Sequence, residues 1–459
     1  MPKLAIFLFA ITLRAADPAP ADVDKIFAAY AKQASPGCAL GVIRDGALIY
    51  TRGYGEANID YHLPLHSRSV IYIASTSKQF TAASILLLER DGKLSLDDNI
   101  RKYVPEIPDY GQPITIRNLI HHTSGLRDYL ALIPLAAQRT EDVRSDEEVL
   151  ALVARQKNLN FKPGERHLYS NTGYWLLSVI AKRVSGKSLN AYATEKIFRP
   201  LGMDDTQFYD DHKRIVPRRV TGYEIQENGH LAVVSTLFDR VGDGGLLTTI
   251  DDLVKWDRMF YTDSLAPGLA AQLQKTGQLK NGDPLQYASG LMVSERGGLR
   301  QVAHGGSFNG FRAELVRFPE KKFSVVCLCN RYDINPTNLA NKVVELYLGI
   351  PAPVPPAPPA ASPVADIQVS VPQSTMQSYV GDYYSDELDA TYHFSLQDGK
   401  LGVSLRTAPW RNLNMVKLDS FSRDQMQFEF TRSGDGRAVD GFWFTVGGRV
   451  LGRMRFVRK

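Results

Sequence analysis

A chain of 459 residues is too long for one ordinary hydrophobic core, so two domains with connecting segments are expected. Apolar residues make up 44% and charged residues 22%, the balance of a globular protein. The net charge of +5, with no basic stripe interleaved with aromatic rings, excludes a nucleic-acid surface.

Residues 1–16 read as a signal peptide: Lys3, an apolar run Leu4–Leu13, then the small residues Ala15 and Ala16. The run is shorter than the ~20 residues that cross a bilayer. Export to the periplasm or the extracellular space is therefore expected, without an integral membrane span. A helix is expected over Ala21–Gln33. Strands follow over Gly37–Arg44 and Ala47–Gly53, around an Asp45-Gly46 hairpin turn. In Thr76–Arg90, Phe80, Ser84, Leu87 and Leu88 recur at helical spacing and Gly92 stands past the end. Ile85–Leu88 is apolar all round, which predicts a helix buried within its domain. Residues 110–260 read as mostly helical with loops. Gly298–Gly310, Arg312–Phe318 and Phe323–Asn330 read as strands, and Asn338–Leu348 as a helix. Strands at both ends with helices between them predict an α+β fold, an antiparallel sheet closed by its two termini.

The Pro/Ala-rich segment 351–372 is an extended spacer by composition. It divides a domain over 22–350 from one over 373–459. In the second, Met426, Phe428 and Phe430 alternate and turns fall at Asp398-Gly399 and Gly447-Gly448, which predicts a small all-β barrel or sandwich. Cys38, Cys327 and Cys329 are too few for a disulfide framework and read as small core residues. No spacing calls for a metal or a cofactor.

Three motifs carry chemistry. Ser75-x-x-Lys78 sets an amine one helical turn from a hydroxyl, close enough to take its proton. Tyr169-x-Asn171 lies in a loop entering an apolar helix, where a phenol relays a proton and an amide orients a lysine. His304-Gly305-Gly306-Ser307 is a strand whose glycines mark close approach of a backbone or ligand, beside which an N–H can stabilise an oxyanion. Taken singly, each also fits a plainer reading: a helix surface, a capped loop, a bulge with a surface histidine.

In this order, and with Phe80-Thr81, Leu119–Leu126 and Pro200–Met203 between them, the motifs resemble the serine β-lactamase and penicillin-binding-protein superfamily. The branch they resemble holds class C β-lactamases, D-aminopeptidases, D-Ala-D-Ala carboxypeptidases and related esterases. The resemblance covers about 22–350 and implies an antiparallel sheet flanked by helices, with an all-helical subdomain. Ser75 is then the acylated nucleophile, Lys78 its base and Tyr169 the proton shuttle. Asn171 holds the substrate amide and Lys78, and the N–H groups of Ser75 and Ser307 form the oxyanion hole. Neither cofactor nor metal is implied. The substrate is a small molecule or a peptide, peptidoglycan-derived peptides included. One departure bears on specificity: where class C enzymes carry Lys-Thr-Gly, this chain has His304, Gly305 and Gly306. That removes a lysine and a hydroxyl that grip a substrate carboxylate, so D-amino-acid peptides or small esters are expected over β-lactams. Weak β-lactam turnover, or a non-catalytic scaffold, are the alternatives. The segment from Tyr379 to Tyr383 resembles the start of the lipocalin-like barrel appended to some relatives. An α/β-hydrolase is disfavoured because Gly305-Gly-Ser307-Phe-Asn309 lacks the last glycine of a nucleophile elbow. The pair His62 and His66 is split by Pro64 and has no accompanying glutamate, which disfavours a metalloprotease.

Overall fold

The computed structural model describes residues 17–234, 239–352, 371–447 and 452–459. The expected signal segment 1–16, and residues 353–370 of the expected spacer, lie outside the described residues.

Asp45 and Gly46 both take positive φ, so the turn folds the strands Cys38–Arg44 and Ala47–Tyr54 into a hairpin. Cys38–Arg44 also pairs with Phe323–Cys329, antiparallel and opposite in register from Cys38↔Cys329 to Arg44↔Phe323. The six-stranded sheet then continues through Phe311–Phe318 and Leu299–Phe308 to Met292–Arg296. One face packs on the helices Pro20–Phe27 and Pro336–Leu348, through Val23, Phe27, Leu339, Val343 and Val344. On the other lies the helix Ile250–Thr262, so near that a Cβ at Gly41 would stand 2.4 Å from an Ile250 methyl. Beyond it the helix Lys78–Arg90 is buried on nearly every side, with Phe80 against Trp256. It packs on Asn171–Ser185 in the helical region.

The expected α+β architecture is therefore present. Two differences stand out. The middle holds short strands as well as helices, such as Gly222–Ile225 and Leu246–Thr248, too brief for alternation to register in the sequence. The cysteines are not all core thiols: Cys38 and Cys329 are joined in a disulfide and Cys327 is a buried free thiol. The two bonded residues are 291 positions apart, and only the strand register sets them opposite one another.

The second region is a nine-stranded antiparallel sheet. Its two end strands, Ala408–Asn412 and Asn414–Lys417, are joined by the single residue Leu413, so the sheet curls almost into a closed barrel. Its interior is filled by rings, among them Tyr383, Tyr392, Phe394, Phe428, Phe442, Phe444 and Phe456.

Candidate active site

The Ser75-x-x-Lys78 motif does not begin on the helix proper. Ser75 lies in a 3-10 turn, Ala74–Ser77, that feeds directly into Lys78–Arg90. Ala74 is held at φ 46°, a strained value for a residue with a Cβ, and it lifts Ser75 to the floor of a cleft of about 620 Å³. The three-residue repeat of the turn brings Lys78 back under Ser75, with Nζ 3.1 Å from Oγ.

Lys78 is fully buried, and its terminal nitrogen is the hub of the site. It donates to Asn171 Oδ1 at 3.0 Å and to the Asp243 carbonyl, and lies 4.8 Å from the centre of the Tyr169 ring. Asn171 is the first residue of its helix, and its amide is fixed from behind: Nδ2 donates to Asp128 Oδ2 at 2.9 Å. Asp128 in turn caps the helix Tyr129–Leu135 by accepting from the Leu130 N–H. Asp243 is buried, which pushes its carboxyl up, and it accepts from the Tyr129 hydroxyl at 2.8 Å.

The strand Leu299–Phe308 forms the facing wall. Its neighbour Met292–Arg296 pairs with it only as far as Ala303, which leaves 304–308 with an open edge along the cleft. Thr76 Oγ1 donates to the His304 carbonyl at 3.1 Å and ties this edge to the turn that carries Ser75. A Cβ at Gly306 would stand 2.1 Å from the Ile73 carbonyl oxygen, so no other residue permits this approach. Ser307 follows on the same edge and lines the cleft with Ser75, Tyr169, Asn171 and His304.

His304 is held by its neighbours as a neutral ring. Its Nδ1 lies 2.6 Å from the Gly305 carbonyl, which can only accept, so Nδ1 carries the hydrogen. Its Nε2 lies 3.0 Å from the Tyr287 hydroxyl and accepts from it. Burial, with the charge of Lys78, pushes the imidazole down to about 4. The ring is a neutral, doubly bonded spacer. A second buried group, Glu314, sits opposite Gly305 on the next strand, where burial raises its carboxyl to about 7. Its Oε2 accepts from Thr337 at 2.6 Å and would lie 3.1 Å from a Cβ at Gly305.

All seven residues singled out in the sequence (Ser75, Lys78, Tyr169, Asn171, His304, Gly306 and Ser307) therefore meet at one cleft. Sequence reasoning missed Asp128, Asp243, Tyr287 and Gly290. Gly290, at φ 73°, packs on the backbone of Lys78 and Gln79, where a Cβ would stand 2.5 Å from the Gln79 nitrogen. A glycine and three polar residues scattered over the sequence carry no local signal. Only their convergence on Lys78, Asn171 and His304 reveals them.

A serine and a buried lysine under a bare strand edge, between an antiparallel sheet and a helical region, define a protein of the penicillin-recognising fold. Residues 23–348 match the beta-lactamase family, and the chain belongs to it. A penicillin-binding protein of Bacillus subtilis is 29% identical over 308 residues, 62% of this chain and 66% of that one. The D-aminopeptidase of Brucella anthropi is 29% identical over 325 residues, 69% of this chain and 60% of the relative. This chain thus spans somewhat less than two thirds of either relative's length. Among solved structures, the octameric penicillin-binding protein homologue of Pyrococcus abyssi shares the fold over 95% of this chain and 99% of its own. Its TM-score is 0.63 and its identity 24%. The D-amino acid amidase of Ochrobactrum anthropi covers 71% of this chain and 96% of its own, with a TM-score of 0.58 and 22% identity.

Proposed function

We propose that this chain is an exported serine hydrolase that opens amide or ester bonds through a Ser75 acyl-enzyme, with D-amino-acid peptides or small esters as its substrates. The observation that carries the reading is the buried Lys78 amine, 3.1 Å from Ser75 Oγ and oriented by Asn171. Ser75 Oγ attacks the substrate carbonyl carbon while its proton passes to Lys78 Nζ. The developing oxyanion is received by the N–H groups of Ser75 and Ser307. Tyr169 delivers a proton to the departing amine or alcohol, and then draws one from the water that splits the ester. The hydrolase occupies 22–350, followed by the spacer 351–372 and the barrel 373–459.

The strand 304–307 supports this substrate class. His304, neutral and locked between Tyr287 and Gly305, puts no charge at the position where class C enzymes carry a lysine, and the cations that line the cleft are Arg240 and Arg312. Glu314 beside Gly305 adds a group that opposes an anion there once ionised. A leaving group without a carboxylate, an amine or an alcohol, suits this wall, as the name of the D-aminopeptidase relative also suggests. The disulfide Cys38–Cys329 supports export, since such bonds persist in oxidising compartments. No described helix is long and apolar enough to cross a membrane.

The test is a fluorophosphonate label with mass mapping, followed by four substrates: a D-amino-acid anilide, a short p-nitrophenyl ester, a D-Ala-D-Ala peptide and a chromogenic cephalosporin. Ser75 should take the label, and the anilide or the ester should be turned over fastest. Labelling elsewhere, or none, overturns the nucleophile; a cephalosporin preference overturns the substrate class.

A further inference from the structure

We propose that the C-terminal barrel is a working part of the active site, and that Glu387 is the positioning residue through which it acts. The inference rests on the hydrolase reading above for its consequence, but its structural part stands on contacts that reading does not use. Among the described residues, none that lines the cleft comes from the barrel. Its influence arrives from behind.

The turn between the barrel strands Gly381–Ser385 and Ala390–Gln397 projects into the helical region. There the Glu387 carboxylate, almost fully buried, accepts from Arg127 Nη1 at 2.7 Å and from the Lys157 N–H at 2.9 Å. Arg127 is itself wholly buried, and its other partners are Gln156 Oε1 at 2.8 Å and the carbonyl of Arg453, again from the barrel. Gln156 closes the loop by donating to the Glu387 carbonyl at 2.8 Å. Two barrel groups thus hold the one guanidinium, in an environment where a charge left without a partner is strongly disfavoured.

Arg127 is one residue from the catalytic machinery. Its carbonyl accepts from Thr172 Oγ1 at 2.7 Å, and the Tyr129 N–H donates to the same hydroxyl at 2.8 Å. Between them, Asp128 Oδ2 accepts from both the backbone N–H and the side-chain amide of Asn171. The segment 127–129 is therefore a clamp on the first turn of the helix that carries Asn171, and Asn171 Oδ1 is what orients Lys78. The continuous run is Glu387, Arg127, Asp128, Asn171, Lys78, Ser75, each member joined to the next by the chain or by a hydrogen bond of 3.1 Å or less. The filled interior of the barrel fits this role, because a sheet packed with rings is a rigid mount for a projecting turn.

The experiment uses the full chain and compares Glu387→Gln and Glu387→Ala with Asp386→Asn, which removes the charge of the neighbouring exposed ion pair with Lys157. The rate of Ser75 labelling and kcat should fall about 10- to 100-fold in Glu387→Ala and less in Glu387→Gln, with KM little changed, the scale of a 1 Å misplacement. Asp386→Asn should match the parent. In an Asn171→Ala background, Glu387→Gln should cost nothing more, because the route is already cut. An equal, independent loss in both backgrounds would show that Glu387 acts elsewhere and would overturn the proposal, as would parental kcat in Glu387→Gln. If Glu387→Ala does not fold, the glutamine variant carries the comparison alone. Hydrogen exchange at the amides of 170–173, read on the same samples, needs no substrate. Faster exchange in Glu387→Gln supports the coupling and unchanged exchange refutes it, even if Ser75 proves not to be the nucleophile.

Discussion

Around Ser75 the interior holds a lysine, an asparagine, two aspartates and a histidine, whereas the interior of the barrel holds tyrosine and phenylalanine rings. Both regions exclude water, but for opposite ends. In the first, each buried polar group is costly unless bonded, so Lys78, Asn171, Asp128, Tyr287 and His304 can adopt only the arrangement in which they satisfy one another. In the second, edge-to-face and stacked rings such as Phe442 on Phe456 fix a shape without fixing any proton. One region specifies chemistry at the cost of stability; the other supplies stability and can be asked to hold something else in place.

The largest effect expected from breaking this contrast is in the first region. Ser75→Ala or Lys78→Ala should lower kcat by ~10⁴-fold or more while leaving the thermal unfolding midpoint within a few degrees of the parent. A midpoint that collapses instead would show that the pair is structural. In the barrel the order should be reversed: Phe442→Ala removes a fully buried ring and should cost about 3–5 kcal/mol in denaturant unfolding. Next comes Gly306→Ala, whose methyl must displace the Ile73 carbonyl. We expect it to slow acylation by about 10²-fold, read by the labelling rate, with a smaller loss of stability.

Two buried groups at the cleft should respond to pH in opposite senses, each by no more than about 3 kcal/mol. Glu314 has its carboxyl raised to about 7, so the folded state retains a proton that the unfolded chain releases above the ordinary glutamate value of 4.5. Its contribution is lost as pH rises from about 4.5 through 7, and Glu314→Gln should gain stability over the parent at pH 8 but not at pH 5. His304 is lowered from 6.5 to about 4, so its contribution is full above 6.5 and is lost as pH falls toward 4. The smallest expected effect is on rate: because His304 stays neutral above pH 5, kcat/KM should show no titration near 6.5 attributable to it. An inflection there that disappears in His304→Gln would contradict the locked, neutral ring.

What could be read from the sequence divides along the same line. Ser75 and Lys78, Tyr169 and Asn171, and 304–307 each sit within a few residues of one another, so their local spacing already places them on one turn, one loop and one edge. The alternating Met426, Phe428 and Phe430 likewise announced a barrel strand, found as Met426–Arg432. Hidden were partners supplied by distant segments. Asp128 is 43 residues from Asn171, Asp243 is 165 from Lys78, and Glu387 is 260 from Arg127. No periodicity links such positions, because what joins them is packing. His304 shows the same limit in a single residue: its position was evident, but its protonation depends on burial and on Tyr287, which only the folded chain supplies.

The register Cys38↔Cys329 has a further consequence, for the order of assembly. The strand Cys38–Arg44 lies in the interior of the six-stranded sheet, yet one of its two neighbours, Phe323–Cys329, is made almost three hundred residues later. Contacts of such long sequence separation form slowly and late. Until residue 329 is available, the early hairpin has an unfilled, apolar edge and Ser75 has no facing wall. The six-stranded sheet therefore cannot close until residue 329 has been made. The site cannot be complete before the returning strands close the sheet.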